Sequence, residues 1–278
     1  MHTQIEIIHQ AIEFIESQLQ SRVTIAQIAE HAGYSLFYFI RTFNKITHQT
    51  PYDYLITRRL GEALKMLGET DRRITDIALD FCFETPESFS RAFKRLFGVL
   101  PSLCRKEGLP ESVFPVSPKT LQDLQFINRS GFISPAVIEC EGKIICGLPA
   151  EFDVDDAVGY LDHEKQLRTR MASYLKAGII TVRSYSDSRW QHGYPFSGCA
   201  VEKGEGIIPP LTVQRIPSGQ YARIFCREAD RRAALRYLLY TWLPKTDYKL
   251  KHRFTVEETY AGADSGMKRA LRIPILKI

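Results

Sequence analysis

The chain is poorest in what membranes, metals and covalent cross-links require. Its 278 residues contain no apolar run near the roughly 18 residues of a bilayer span. Nor do they hold a nucleotide-, serine- or zinc-hydrolase motif of the G-x-x-x-x-G-K-[ST], G-x-S-x-G or H-E-x-x-H kind. Six cysteines (82, 104, 140, 146, 199 and 226) form no C-x-x-C pair and match no paired-histidine spacing. No metal site, cofactor or disulfide framework is therefore expected, and reduced cytosolic thiols are the default. The N-terminus lacks a basic segment and carries Glu6, Glu13 and Glu16, so no secretory signal is expected and the predicted location is the cytoplasm. Charge of one sign is missing too. The formal net charge is only +5, and residues 1–107 hold 13 Lys/Arg against 13 Asp/Glu. Bulk charge thus says nothing of a nucleic-acid partner, and only the placement of charge can. What is present is a globular composition, 44% hydrophobic and 25% charged, at a length that suits two domains.

The first hundred residues contain an internal repeat. TIAQIAEHAGYSLFYFIRTFNKITHQTPYDY (24–54) recurs as ITDIALDFCFETPESFSRAFKRLFGVLPSLC (74–104). Ile28-Ala29 matches Ile77-Ala78, and after one inserted residue Phe39/Phe89, Arg41/Arg91, Phe43/Phe93, Lys45/Arg95 and Pro51/Pro101 fall in register. Each copy parses as a short helix, a tight turn and a second helix. Thr24 and Ser35 are predicted N-caps in the first copy, Thr75 and Thr85 in the second, giving helix-turn-helix units at 24–47 and 75–97. Residues 51–69 read as one amphipathic helix between them, and Ile5, Ile8, Ile12, Ile15 and Leu19 give the first helix a core stripe.

Two short helices form a DNA reader when the second offers a polar, basic outer face. Turning Phe39, Phe43 and Ile46 inward sends Phe37, Arg41 and Asn44 outward, flanked by Ile40 and Lys45. Turning Phe89, Phe93 and Leu96 inward sends Glu87, Arg91 and Lys94 outward, flanked by Ser90 and Arg95. Residues 85–106 carry Arg91, Lys94, Arg95, Arg105 and Lys106 against the single acid Glu87. Phosphate-binding charge is therefore expected to concentrate there, with Asn44, Lys45, Lys94, Arg95 and Arg105 on the backbone.

The run DIALDFCFETPESFSRAFKRLFGVLPSLCRK resembles the signature of the AraC/XylS transcription regulators, and the resemblance covers residues 1–107. It implies an all-α module of seven helices with its two reading helices about one DNA turn apart. Carried over, the base-reading positions are Phe37, Ile40 and Arg41, then Glu87, Ser88, Ser90 and Arg91. Phe37 and Ile40 suit a thymine methyl beside an Arg41–guanine contact. Glu87 could accept from cytosine or pair with Arg91 one turn away. Three residues depart from the pattern. Cys82 stands at a turn glycine, His48 at the glycine matched by Gly98, and Cys104 where an aromatic is usual.

Pro110, Pro115 and Pro118 mark residues 108–131 as an extended linker. Beyond it the pattern turns strand-rich, with 136–148 and 212–226 each interrupted at a glycine. Further strands are expected at 179–184, 198–202, 254–260 and 270–278, and helices at 157–175 and 228–242. The order βαββ occurs twice, which makes the fold class an all-α double helix-turn-helix module plus an α+β domain. Residues 132–278 resemble the GyrI-like effector-binding domains in the runs IPSGQYA (216–222), YTWLP (240–244) and FTVEETY (254–260). That resemblance places an aromatic-lined ligand groove between the halves, with Glu258 at its floor and Tyr160, Trp190, Tyr221, Trp242 and Tyr260 among its walls. Strand alternation requires that either Glu257 or Glu258 face water, and the resemblance turns Glu258 inward. The expected effector is a lipophilic cation held by that carboxylate, and the Arg231-Arg232 pair is expected on a solvated helix face. The chain is thus expected to be a non-catalytic, DNA-binding regulator, with RNA polymerase a partner implied by the resemblance and no membrane association. Two alternatives stay open for the second half, a protein-interaction module and a hydrolase of GyrI-like type.

Overall fold

The computed structural model describes residues 3–108, 116–129, 134–149, 179–185, 193–201, 211–260 and 268–278. It divides into a helical unit, Met1–Phe132 with Leu239–Pro244, and a sheet unit made of the remainder.

The helical unit begins with seven helices: α1 (Gln4–Ser17), α2 (Ile25–His31), α3 (Leu36–Thr47), α4 (Pro51–Glu69), α5 (Ile74–Asp80), α6 (Pro86–Phe97) and α7 (Pro101–Glu107). Their starts are written in the sequence. Thr3, Thr24 and Thr85 each close a capping box with the residue three positions on, and Pro51, Pro86 and Pro101 occupy the first helical position, where no amide partner is lost. Thr75 does not cap α5 as the pattern suggested. The helix starts two residues earlier, with Arg73 at the cap and no side-chain bond there.

The repeat is reproduced down to its backbone. In the first turn Gly33 takes φ +69 and Tyr34 N donates to Ala29 O at 3.0 Å; in the second Cys82 takes φ +61 and Phe83 N donates to Ala78 O at 3.0 Å. Both reading helices end in the same left-handed cap, His48 (φ +58) for α3 and Gly98 (φ +74) for α6. The core is a single apolar cluster running from Ile8, Ile12 and Ile15 through Phe39, Phe43, Phe89 and Phe93.

α4 packs against α3, α5, α6 and α7 and holds two buried arginines. Arg58 Nε and Nη2 donate to the Glu16 carboxylate at 2.8 Å, Nη2 also donates to Glu62 at 2.7 Å, and Nη1 donates to Val116 O. Arg59 donates to Leu19 O (2.9 Å) and Ser21 O (2.6 Å), tying α4 to the end of α1. Within the segment expected as an extended linker, residues 121–128 are helical. Thr120 caps a further helix, α8 (Leu121–Asn128), whose Leu124 is fully buried in the helical core.

The sheet unit contains β1 (Ala136–Cys140), β2 (Lys143–Pro149), β3 (Ile180–Tyr185), β4 (Gly193–Ala200), β5 (Thr212–Ile216), β6 (Gly219–Cys226), β7 (Tyr248–Leu250), β8 (Phe254–Tyr260) and β9 (Lys268–Lys277). β4 lies earlier than the 198–202 expected. The helix expected over 228–242 is a short 3₁₀ turn, α9 (Arg231–Tyr237) and a π-turn at Leu238–Trp242, while the one expected at 157–175 lies outside the described residues. The antiparallel order is β1-β6-β9-β8-β3-β4-β2-β5, with β7 beside β9. Strands lie about 4.8 Å apart, so β5 and β6, six intervals apart, would be about 29 Å apart in a flat sheet. Only Pro217 and Ser218 join them. The sheet therefore curls until its ends meet, with Ile145, Val182, Phe196, Ile216, Tyr221 and Val256 packed on its inner face. Gly147 and Gly198 sit opposite each other in β2 and β4, where an added Cβ would lie within 3 Å of the facing backbone.

Candidate nucleic-acid interface and effector face

α3 turns its aromatic and aliphatic stripe in two directions. Phe39 and Phe43 are fully buried, whereas Phe37 is 79% and Ile40 39% exposed, with Arg41, Asn44 and Lys45 also in solvent. A phenylalanine that open to water loses its burial free energy, on the order of 2 kcal/mol, so packing does not account for it. On α6, Glu87, Arg91, Lys94 and Arg95 are exposed, and Ser88 and Ser90 half-buried. Arg41, Lys45, Glu87, Arg91, Lys94 and Arg95 have no ion-pair partner among the described residues. The Glu87–Arg91 pair that spacing allowed is therefore not made.

Two of the expected contact residues have other engagements in the structure. Arg105 was placed among the phosphate contacts, but its guanidinium is turned inward. Nη1 donates to Arg72 O, while Nε and Nη2 are buried. Ser88 was placed among the base readers, yet its hydroxyl completes the α6 cap, donating to Thr85 O at 2.7 Å and accepting from Thr85 N at 3.3 Å. Exposed aromatics that the repeat did not single out are Tyr38 on α3 and Tyr52 at the start of α4. The i, i+3 and i+4 spacing that turned Phe37 outward was their only signal, and it was applied to one face.

In the sheet unit, register assigns the faces. Glu258 lies opposite Ile180 and Ala270, hence on the inner face, two residues along from Val256, and Tyr221 shares that face through Ile145 and Val256. The Glu258 carboxylate is already engaged, at 3.2 Å from Lys143 Nζ and paired with Arg272 Nη2. Tyr221 donates its hydroxyl to Pro217 O at 2.8 Å, and burial pushes its pKa up to about 12.

Glu257 does not face water, contrary to the alternation rule. It is fully buried on the other face, at 2.9 Å from Arg183 Nε, 2.5 Å from Arg269 Nη1 and 3.5 Å from Arg231 Nη1. Arg231 is accordingly buried, and only Arg232 stays on the solvated face. The alternation rule failed because both faces of β8 are covered. Burial alone would raise the Glu257 carboxyl; Arg183, then Arg231 and Arg269, outweigh it and hold the group at about 2.

Trp242 groups with the helical unit. Tyr160 and Trp190 lie outside the described residues, as does the side chain of Tyr260. No cluster of metal-binding side chains exists among the described residues.

Comparison with known proteins agrees with this division. A helix-turn-helix domain family matches residues 16–107, and the family of an integron-associated effector binding protein matches residues 154–275. The transcriptional activator AarP of Providencia stuartii is 38% identical over 106 residues, covering 37% of this chain and 78% of its own. Regulatory protein SoxS of Escherichia coli K12 is 39% identical over 97 residues, covering 35% of this chain and 91% of its own. The right origin-binding protein of the same organism is 34% identical over 113 residues, covering 40% of this chain and 38% of its own. With a doubled helix-turn-helix core and an effector-binding domain behind it, the chain belongs to the AraC/XylS family of DNA-binding transcription regulators.

Proposed function

We propose that the chain is an effector-responsive transcription activator that reads DNA as a monomer, with α3 and α6 in successive major grooves. The observation that carries this is the pair of matched outer faces, whose Arg41 and Arg91 occupy the same turn of repeated helices and lack an acidic partner among the described residues. The connecting helix α4 has 19 residues, about 28 Å at 1.5 Å per residue, a span close to the ~34 Å of one DNA turn. Phe37 and Ile40 supply apolar contact to thymine methyls, Arg41 and Arg91 bond guanine, and Glu87 and Ser90 read beside Arg91. Asn44, Lys45, Lys94 and Arg95 hold phosphates. Reading resides in residues 1–107 and effector binding in 132–278, around Glu258 and Tyr221. The chain acts in the cytoplasm on the nucleoid, without catalysis and through RNA polymerase. Footprinting on operators selected from random DNA tests this. Two protected segments about 10 base pairs apart are expected from monomeric protein, and protection confined to one half-turn would overturn it.

A further inference from the structure

The inner face of the curled sheet has a charge balance that names its ligand. Arg223 lies opposite Arg272 across β6 and β9, and Arg272 opposite Val256, so both guanidiniums share the face of Glu258. Lys143 reaches the same carboxylate from β2. Among the described residues, three cations thus meet a single acid there, leaving a surplus of two positive charges.

Arg272 is only 9% exposed, and its Nε, like that of Arg223, is buried with no hydrogen-bond partner. Its other contacts are the Glu258 carboxylate and, at 3.6 Å, the weak acceptor Cys140 Sγ. A buried N–H without an acceptor is costly, by roughly 1–3 kcal/mol and more when charged. Next to it the Arg223 guanidinium lies 5.0 Å from the centroid of the Phe225 ring, and Tyr221 stands two residues before Arg223. The site therefore offers two guanidinium Nε donors without an acceptor among the described residues, on Arg223 and Arg272, beside apolar and aromatic surface. A cation bound here would compete with Lys143 and Arg272 for Glu258.

We propose that this face binds an amphipathic organic anion, an aromatic or aliphatic body carrying one carboxylate, with Arg272 and Arg223 as the anion clamp. Glu258 then acts as the internal counter-ion that holds Arg272 in place and competes with the ligand for it. The proposal rests on the effector-binding reading above and replaces its lipophilic cation.

Calorimetric titration of the full chain with three compounds of one ring system, 2-naphthoate, 2-naphthylmethanol and 2-naphthylmethylammonium, tests it. 2-Naphthoate is expected to bind at least tenfold tighter than the other two. Arg223→Met and Arg272→Met should each weaken it at least tenfold while circular dichroism and melting confirm the fold. Glu258→Gln should tighten it, because removal of the competing carboxylate frees Arg272. Preference for the ammonium or the alcohol, or lost naphthoate binding in folded Glu258→Gln protein, overturns the anion inference and leaves the effector reading standing. Failure of all three compounds to bind the wild-type chain overturns both.

Discussion

Cys82 and Gly33 hold the same left-handed conformation at matched turns, yet only one of them lacks a Cβ. A non-glycine residue there carries about 1–2 kcal/mol of strain, partly offset by the greater entropy glycine has in the unfolded chain. Cys82→Gly should therefore raise stability by about 0.5–1 kcal/mol, and the reciprocal Gly33→Cys should lower it by a similar amount. Nothing lies within 4 Å of a Cβ added at Gly33, so the second measurement isolates the backbone. Equal effects in opposite directions in urea titrations are the expected result. Glu257 makes the sharper residue-scale case. Substituting Gln removes the buried carboxylate that Arg183, Arg231 and Arg269 share, a loss of about 3–5 kcal/mol. Its folded pKa, about 2, lies below the ordinary 4.5, so its stabilisation is complete above pH 4.5 and is lost as the pH falls toward 2. Urea midpoints measured between pH 5 and 2 should drop more steeply in wild-type protein than in Glu257→Gln.

The reading helices are elements whose surface matters more than their packing. Arg41→Ala and Arg91→Ala should each cost about 1–3 kcal/mol on the selected operator and relax one base position, whereas Lys94→Ala should weaken all sequences alike and flatten the salt dependence. Identical behaviour of the three in quantitative binding assays would refute the division into readers and positioners. Repeat and period together disclosed the six helices up to residue 97, because a helix that buries one stripe must write it at 3.6-residue spacing, whereas α7 followed only from the family resemblance. α8 escaped since three prolines precede it, although its Thr120-x-x-Asp123 capping box was present. Leu124→Ala, at its buried centre, should cost about 2–5 kcal/mol in the melting of the helical unit. The buried pair on α4 was also partly visible, as Arg58 falls on the stripe of Pro51, Tyr54 and Leu55. For β8 the sequence carried no such information. Alternation says which residues share a face, but two covered faces leave no polar side to orient it.

At the scale of the whole molecule the two halves differ in how far apart along the chain their contacts lie. The helical unit joins neighbours, while most sheet pairings do not. β1 pairs β6, β2 pairs β5 and β3 pairs β8 across some 70 to 85 residues. Folding slows as such separations grow, by orders of magnitude between helical modules and closed sheets. Refolding from urea should therefore show a fast phase reported by helical circular dichroism and a slower one reported by hydrogen-exchange protection of the strand amides. Synthesis proceeds in the same order. At about 5–20 residues per second, the residues after 131 take roughly 7–30 s to emerge once the reading module is complete. Closure of the curl needs β9 between β6 and β8, so sensing begins only after Lys268–Lys277 are made. Every newly made copy therefore passes through an interval in which it can read DNA while deaf to its effector.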